Sequence, residues 1–115
     1  MKARAELHLR VVKGRTRAIG PGKVALLEAI RDTGSISAAA RKLRMSYRRA
    51  WMLVDELNRH LASAVVEAAP GGRHGGGATL SPTGRKLVTL YREIERKALR
   101  HTSAAMRSLL GLLSE

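Results

Sequence analysis

Two serines, Ser35 and Ser46, each stand directly before a segment whose apolar residues recur at spacings of three and four. A serine in this position accepts a hydrogen bond from the first free backbone amides of a helix, so it marks where a helix begins. The expected buried faces are Ile36, Ala39, Ala40 and Leu43 in the first segment, and Ala50, Trp51, Val54 and Leu57 in the second. Arg44 and Met45 form the short turn between them. The pattern predicts a helix-turn-helix.

A further helix is predicted before this pair. From Pro21 to Thr33, Val24, Leu27 and Ile30 share one stripe with the small Ala25. Proline suits the first turn of a helix, and Gly34 suits the left-handed residue that ends one.

A β-hairpin is predicted after the pair. The short runs "SAVVEAA" and "GATLS" contain β-branched residues and flank a glycine-rich stretch. A hairpin directly after a helix-turn-helix is the wing of a winged helix.

The beginning of the chain is predicted to be a single strand. In residues 5–13, Leu7, Leu9 and Val11 alternate with His8 and Arg10, as in a strand covered on one side. The next residues, "GRTRAIGPG", are rich in glycine and cations and are predicted to be a connection.

A long helix is predicted at the end of the chain, capped by Ser81 and with Pro82 at its first position. A continuous helix to residue 113 would span about 48 Å, more than a small domain covers, so we expect its stripe to pack against a second copy of the chain. The alternative is a C-terminus that bends near "RHTS" at 100–103 and folds back on its own core. The predicted dimerisation residues are Leu87, Tyr91, Ile94, Ala98, Met106 and Leu109.

The predicted fold class is therefore mainly α with a small β-hairpin: a winged helix-turn-helix with a long C-terminal dimerisation helix. A chain of 115 residues has room for one domain. Within it, the winged helix-turn-helix occupies residues 1–81 and the dimerisation helix 82–115.

Charge predicts the kind of partner. The chain has 22 Lys and Arg against nine Asp and Glu, a net charge of +13, which is self-repelling unless a polyanion neutralises it. Double-stranded DNA is the expected partner, and the alternatives are a membrane surface or no polyanion at all. No run of about 18 apolar residues and no signal sequence occurs, so we expect no membrane contact and a cytoplasmic, nucleoid-associated protein.

The candidate DNA-contacting residues cluster on the helix-turn-helix. The stretch "RKLRMSYRR" at 41–49 contains five cations and no acid, at the end of one helix, the turn and the start of the next. Arginine has the forked geometry for guanine, and free amides at a helix start suit a phosphate. The predicted DNA-binding residues here are Ser35, Arg41, Lys42, Arg44, Ser46, Tyr47, Arg48 and Arg49. The alternative is a solvated basic face.

The glycine-rich stretch "AAPGGRHGGGAT" is predicted to be the tip of the wing. It lacks the lysine and the following helix of a phosphate-binding P-loop, and a flexible linker would leave the flanking strands unpaired. Glycines allow the backbone to approach DNA closely, and Arg73 and His74 are the candidates for contact with a phosphate or the minor groove. A hairpin without DNA contact is the alternative.

Catalytic and metal sites are not expected. Asp55 and Glu56 are adjacent on a helix and so point in different directions, and the four histidines lie far apart in sequence. The absence of cysteine excludes disulfides, cysteine-ligated zinc and thiol catalysis. The sequence predicts a protein that is not an enzyme and has no cofactor.

Two stretches, "GSISAAARKLRMSYRRAWMLVDELN" at 34–58 and "GGRHGGGATLSPTG" at 71–84, resemble the N-terminal winged-helix domain of the ModE-type, molybdate-responsive transcription regulators, whose helix-turn-helix is LysR-like. The similarity covers about residues 5–100. It implies a dimeric, operator-binding regulator of molybdenum uptake or use. The family's oxyanion sensor is a separate C-terminal module, and this chain stops at Glu115 without it, so direct molybdate binding is doubtful.

The function predicted first is a homodimeric, sequence-specific DNA-binding regulator acting on a roughly palindromic operator. The second is a sequence-nonspecific nucleoid or RNA-binding architectural protein, for which charge alone suffices. An oxyanion-binding carrier is the third.

Overall fold

The computed structural model describes residues 2–70 and 76–114. The mainly α, winged helix-turn-helix fold class is confirmed. Along the described chain the elements are β1 (Val11–Lys13), β2 (Thr16–Ile19), α1 (Pro21–Thr33), α2 (Ile36–Lys42), α3 (Tyr47–His60), β3 (Val66–Ala69), β4 (Gly77–Leu80), α4 (Pro82–His101) and α5 (Ser103–Leu110).

Helix α1 lies at the centre of the core and packs against α2, α3, α4 and β4. The predicted stripe of Val24, Leu27 and Ile30 is completely buried, as is Leu26 beside it. A stripe of this width indicates a helix covered by neighbours on several sides. The other elements are therefore arranged around α1.

The predicted starts of α2, α3 and α4 and the predicted end of α1 are confirmed. Each capping serine accepts a hydrogen bond from a backbone amide of the first turn: Ser35 Oγ from Ala38 at 2.9 Å, Ser46 Oγ from Arg49 at 3.1 Å, and Ser81 Oγ from Gly84 at 3.0 Å. Gly34 ends α1 in the left-handed region, with φ of 78°. Local side-chain chemistry thus sets the ends of the helices.

The turn between α2 and α3 is closed by backbone hydrogen bonds. The amide of Met45 donates to the carbonyl of Ala40 at 3.0 Å, and the amide of Arg44 donates to that of Arg41 at 3.2 Å. Arg44 has a φ of 56°, in the left-handed region that disfavours residues with a Cβ. This residue reverses the chain and sets the direction in which α3 leaves α2.

The start of the chain differs from the prediction of one long strand. Strand β1 is short, and it pairs with β2, which lies in the segment predicted to be a connection. Gly14, with φ of 62°, forms the turn between them. The alternation of Leu7 and Leu9 persists before β1, but both residues are only half-buried and lie outside any strand. Alternation shows that a segment is covered on one side, whereas a strand also needs a hydrogen-bonded neighbour.

The C-terminal helix is interrupted. Helix α4 ends at His101, and Thr102 has a φ of −109° and a ψ of 10° before α5 begins. The Thr102 hydroxyl donates to the carbonyl of Ala98 at 2.6 Å, a local bond that favours a bend. Helix α5 then borders residues 4–6 across an apolar groove. The helix is therefore bent within "RHTS" rather than continuous to residue 113.

An ion-pair network joins α4 to α1. Arg92 donates to both carboxylate oxygens of Glu28 and to Glu95 on its own helix, where the Nη1–Oε1 distance is 2.7 Å. These hydrogen bonds lower the pKa of Glu28 against the opposing effect of its partial burial. Helix α4 is thereby held at a fixed position beside the core.

Gly84, in the first turn of α4, is predicted to be intolerant of any side chain. A Cβ at this position would collide with the backbone carbonyl of Val65, which has no freedom to rotate away. We expect Gly84→Ala to lower the free energy of unfolding by about 2 kcal/mol or more, as measured by urea denaturation. Gly22, in α1, is the control, because a Cβ there meets no atom within 4 Å. Equal stability of the two variants would contradict the close packing of α4 on Val65.

Candidate nucleic-acid interface

The first turn of α3 projects three large side chains into solvent. Tyr47, Arg48 and Arg49 are all exposed, whereas Ala50 directly after them is completely buried. Helical geometry places Arg48 on the outer side of α3, opposite the buried side. This turn is therefore the part of α3 that a partner reaches first.

The remaining predicted cations surround this turn and are also exposed. Arg41 and Lys42 lie in the last turn of α2, and Arg44 lies in the turn itself. Lys42 is 3.8 Å from a carboxylate oxygen of Asp32, and Arg41 donates to the hydroxyl of Ser37 at 3.3 Å. Among the described residues, no carboxylate lies within 4.0 Å of the guanidinium of Arg44, Arg48 or Arg49. The positive charge at the start of α3 is thus left uncompensated by these residues.

The two capping serines are engaged within the chain. Ser46 Oγ accepts from the Arg49 amide at the exposed start of α3, where other first-turn amides face outward. Ser35 is half-buried and caps α2. Its predicted contact with DNA stays a prediction.

Trp51 is not a core residue, so its predicted burial is wrong. Its exposed fraction is 51%, and that of Tyr47, one turn earlier on the same flank of α3, is 57%. The buried side is centred on Ala50, Val54 and Leu57, and Trp51 lies about 100° around the helix from Ala50. The three-residue spacing between Trp51 and Val54 suggests that Trp51 is buried. The buried stripe, however, is centred on Ala50, Val54 and Leu57, and Trp51 lies outside it.

Asn58, which is not among the predicted site residues, fixes the wing against α3. Its Oδ1 accepts from the amide of Val65 at 2.8 Å, and its Nδ2 donates to the carbonyl of Val66 at 3.4 Å. It lies on the same flank of α3 as Tyr47 and Trp51. The sequence signal for this role is the polar Asn58 itself, which stands one helical turn after the buried Val54.

The wing is also joined to the end of α1. Strands β3 and β4 pair antiparallel, from Val66 opposite Leu80 to Ala69 opposite Gly77. The amide of Ala78 donates to the carbonyl of Gly34 at 2.9 Å. The predicted hairpin is confirmed, while the predicted contact residues at its tip, Arg73 and His74, lie outside the described residues.

The other flank of α3 is fixed by an ion pair. Lys23 is 8% exposed, and its Nζ lies 3.1 Å from Glu56 and 2.7 Å from the carbonyl of Arg17. Asp55 instead pairs with Arg59 at 3.0 Å. The two adjacent acids therefore serve separate structural contacts.

Within residues 2–70 and 76–114, no group of three metal-ligating side chains is close enough to hold a metal ion.

The predicted dimerisation residues divide into two groups. Tyr91 is only 3% exposed, and its hydroxyl donates to the carbonyl of Leu9 at 2.7 Å, so its prediction as a contact with a second copy is wrong. Leu87 is half-buried against the core, as Ala98 and Met106 are half-buried on their own helices. Ile94 and Leu109 are exposed.

An apolar groove runs along α4 beside the first hairpin. Leu90 and Ile94 form its exposed rim, with exposed fractions of 46% and 49%. Its other lining residues are Leu9, Val11, Ile19, Leu87 and Tyr91.

No helix in the described ranges has the length and apolar character needed to cross a membrane.

A helix with exposed arginines at its start, packed next to a wing, defines the class: a winged helix-turn-helix domain. The chain belongs to the lysR family of bacterial regulatory helix-turn-helix proteins, whose model matches residues 22–85.

Curated relatives confirm the resemblance to the ModE-type regulators. The chain is 51% identical over 100 residues to the molybdenum-pterin-binding protein MopB of Rhodobacter capsulatus, covering 86% of this chain and 37% of that protein. It is 40% identical over 81 residues to the DNA-binding transcriptional dual regulator ModE of Escherichia coli K12. That match covers 68% of this chain and 31% of ModE. The chain thus spans about a third of the length of these relatives.

A solved structure shares the fold. A chain of the crystal structure of a CbnR_DBD–DNA complex superposes with a TM-score of 0.59 at 20% identity, covering 76% of this chain and 95% of that chain.

Asn58→Ala is expected to lower the free energy of unfolding by about 1–3 kcal/mol, because it leaves the partly buried amide of Val65 without an acceptor. Thermal unfolding followed by circular dichroism measures the loss. Arg59→Ala, at the next position, removes only an exposed ion pair and should change stability by about 0.5 kcal/mol or less. An Asn58 variant as stable as the Arg59 variant would argue against this link.

Proposed function

We propose that this protein binds double-stranded DNA sequence-specifically, as a homodimer on a roughly palindromic operator, and regulates genes connected with molybdenum. The observation that carries the proposal is the acid-free, exposed first turn of α3 beside the wing. In this proposal the protein acts at the nucleoid, in the cytoplasm.

Base reading is assigned to Arg48 and Arg49. Both side chains are exposed, and arginine donates two parallel hydrogen bonds to O6 and N7 of guanine. Arg41, Lys42 and Arg44 are assigned to phosphates, because they lie beside α3 on α2 and the turn. The free amides at the start of α3 suit one more phosphate. Arg73 and His74 are proposed to reach the backbone from the wing tip.

The homodimer is supported by the exposed apolar rim of α4. Leu90 and Ile94 are large apolar side chains next to a groove that the described chain leaves open. A two-fold dimer that places two recognition helices about 34 Å apart would match one turn of the duplex. An operator with inverted half-sites follows from that symmetry.

The connection with molybdenum is supported by the names of the relatives. They include the molybdenum transport proteins ModE of Azotobacter vinelandii and Herbaspirillum seropedicae, at 36% and 41% identity. What these names support is the identity of the regulated genes, which we propose are connected with molybdenum.

Arg48→Ala and Arg49→Ala are expected to relax sequence preference. We would select duplexes from a random pool at near-physiological salt and measure the affinity of each variant for the enriched sequence and its point variants. Loss of one arginine should remove about 1–3 kcal/mol of discrimination at one base pair, because the forked donor to guanine is gone.

Arg100→Ala is the matched control, since Arg100 is an exposed cation in the last turn of α4, away from α3. It should preserve the enriched sequence. If no duplex is enriched, or if all three variants weaken every duplex alike, the protein is a sequence-nonspecific binder, as its net charge of +13 also permits.

Ile94→Glu is expected to weaken dimerisation by about tenfold or more, because it places an unpaired charge in the proposed apolar interface. Sedimentation equilibrium measures the monomer–dimer constant. Thr89→Glu adds the same charge to an exposed position on the opposite side of α4 and should leave the constant unchanged. An identical constant for the two variants would place the interface elsewhere.

A further inference from the structure

The flank of α3 that faces the wing carries an aromatic pair. Tyr47 and Trp51 are one helical turn apart, and about half of each side chain is exposed. Together with Val54 of α3 and Val66 and Ala78 of the wing, they line an open cleft of about 550 Å³. The core does not need either ring, because Ala50, Val54 and Leu57 already form the buried side of the helix.

The cleft is continuous with the proposed DNA-reading turn. Tyr47 is the first residue of α3 and Arg48 is the second, so an operator contacted by Arg48 passes beside the aromatic pair. The wing forms the opposite wall of the cleft through Ala68 and Gly77. Any DNA strand that lies between α3 and the wing therefore meets an apolar surface.

We propose that Tyr47 and Trp51 read the 5-methyl group of a thymine at the wing side of each operator half-site. This inference rests on the proposed function. In the major groove, base edges present hydrogen-bond donors and acceptors, and the thymine methyl is the apolar group among them. An aromatic ring offers no hydrogen-bond match to a base edge from its face, whereas it packs well on a methyl group.

The charge of the cleft favours this group over a phosphate. The walls and floor are mostly apolar, and the side chain of Glu67 is exposed on β3 at its border. A carboxylate repels a phosphate but interacts little with a methyl group. In this proposal the neighbouring arginines bind phosphates and guanine, while the aromatic pair binds the uncharged methyl group of thymine.

The test uses the duplex enriched by selection, with each thymine replaced in turn by uracil, which lacks only the methyl group. At one position in each half-site, uracil should weaken binding by the wild-type protein roughly fourfold, the contribution of one buried methyl group. Trp51→Ala should bind the thymine and uracil duplexes equally. The loss of the difference in that variant assigns the methyl contact to Trp51.

Val12→Ala is the matched control, because Val12 is an apolar residue of β1 with 59% exposure that lies outside the cleft. It should keep the full thymine-to-uracil difference. Trp51→Ala removes a half-exposed side chain and opens no core cavity, so its melting temperature should match that of Val12→Ala.

Fluorescence gives an independent readout, because Trp51 is the one tryptophan in the chain. Its emission should change on addition of the enriched duplex and change less with the uracil duplex. An enriched duplex whose binding ignores every thymine methyl, or whose methyl effect persists in Trp51→Ala, overturns this inference and leaves the proposed function standing. Failure to enrich any duplex overturns both.

Discussion

The burial of α1 is the constraint on which the rest of the structure depends. Leu26, Leu27 and Ile30 are completely covered, and α2, α3, α4 and the wing supply the cover. Because these elements share one apolar centre, none of them is positioned by its own connection alone. The recognition helix is exposed on its outer side only because its inner side is committed to this core through Ala50 and Leu57.

Much of the fold can be predicted from local signals in the sequence. The capping serines, Pro21, Gly34 and Pro82 act within a few residues of where they stand, so the order and bounds of α1, α2 and α3 follow from the chain itself. The resemblance to a known family predicts the class of protein, which these local signals alone do not. The exposed cations from Arg41 to Arg49 could be predicted because they share one short stretch that contains no acid.

The errors concern contacts between distant parts of the chain. The partner strand of β1 cannot be identified from the sequence, because the four residues of β2 are too few to show an alternating pattern. The hydroxyl of buried Tyr91 donates to the carbonyl of Leu9, 82 residues away in sequence, and helical spacing cannot reveal such a contact. Trp51 and Asn58 depend on where the wing packs, and periodicity along one helix contains no information about that position.

The left-handed Arg44 has a consequence for engineering. An L-residue at this φ costs about 1 kcal/mol, which a glycine would avoid. A glycine, however, would remove one of the cations beside α3. The turn is therefore a point of trade-off, where thermal robustness and attraction for a polyanion favour different amino acids.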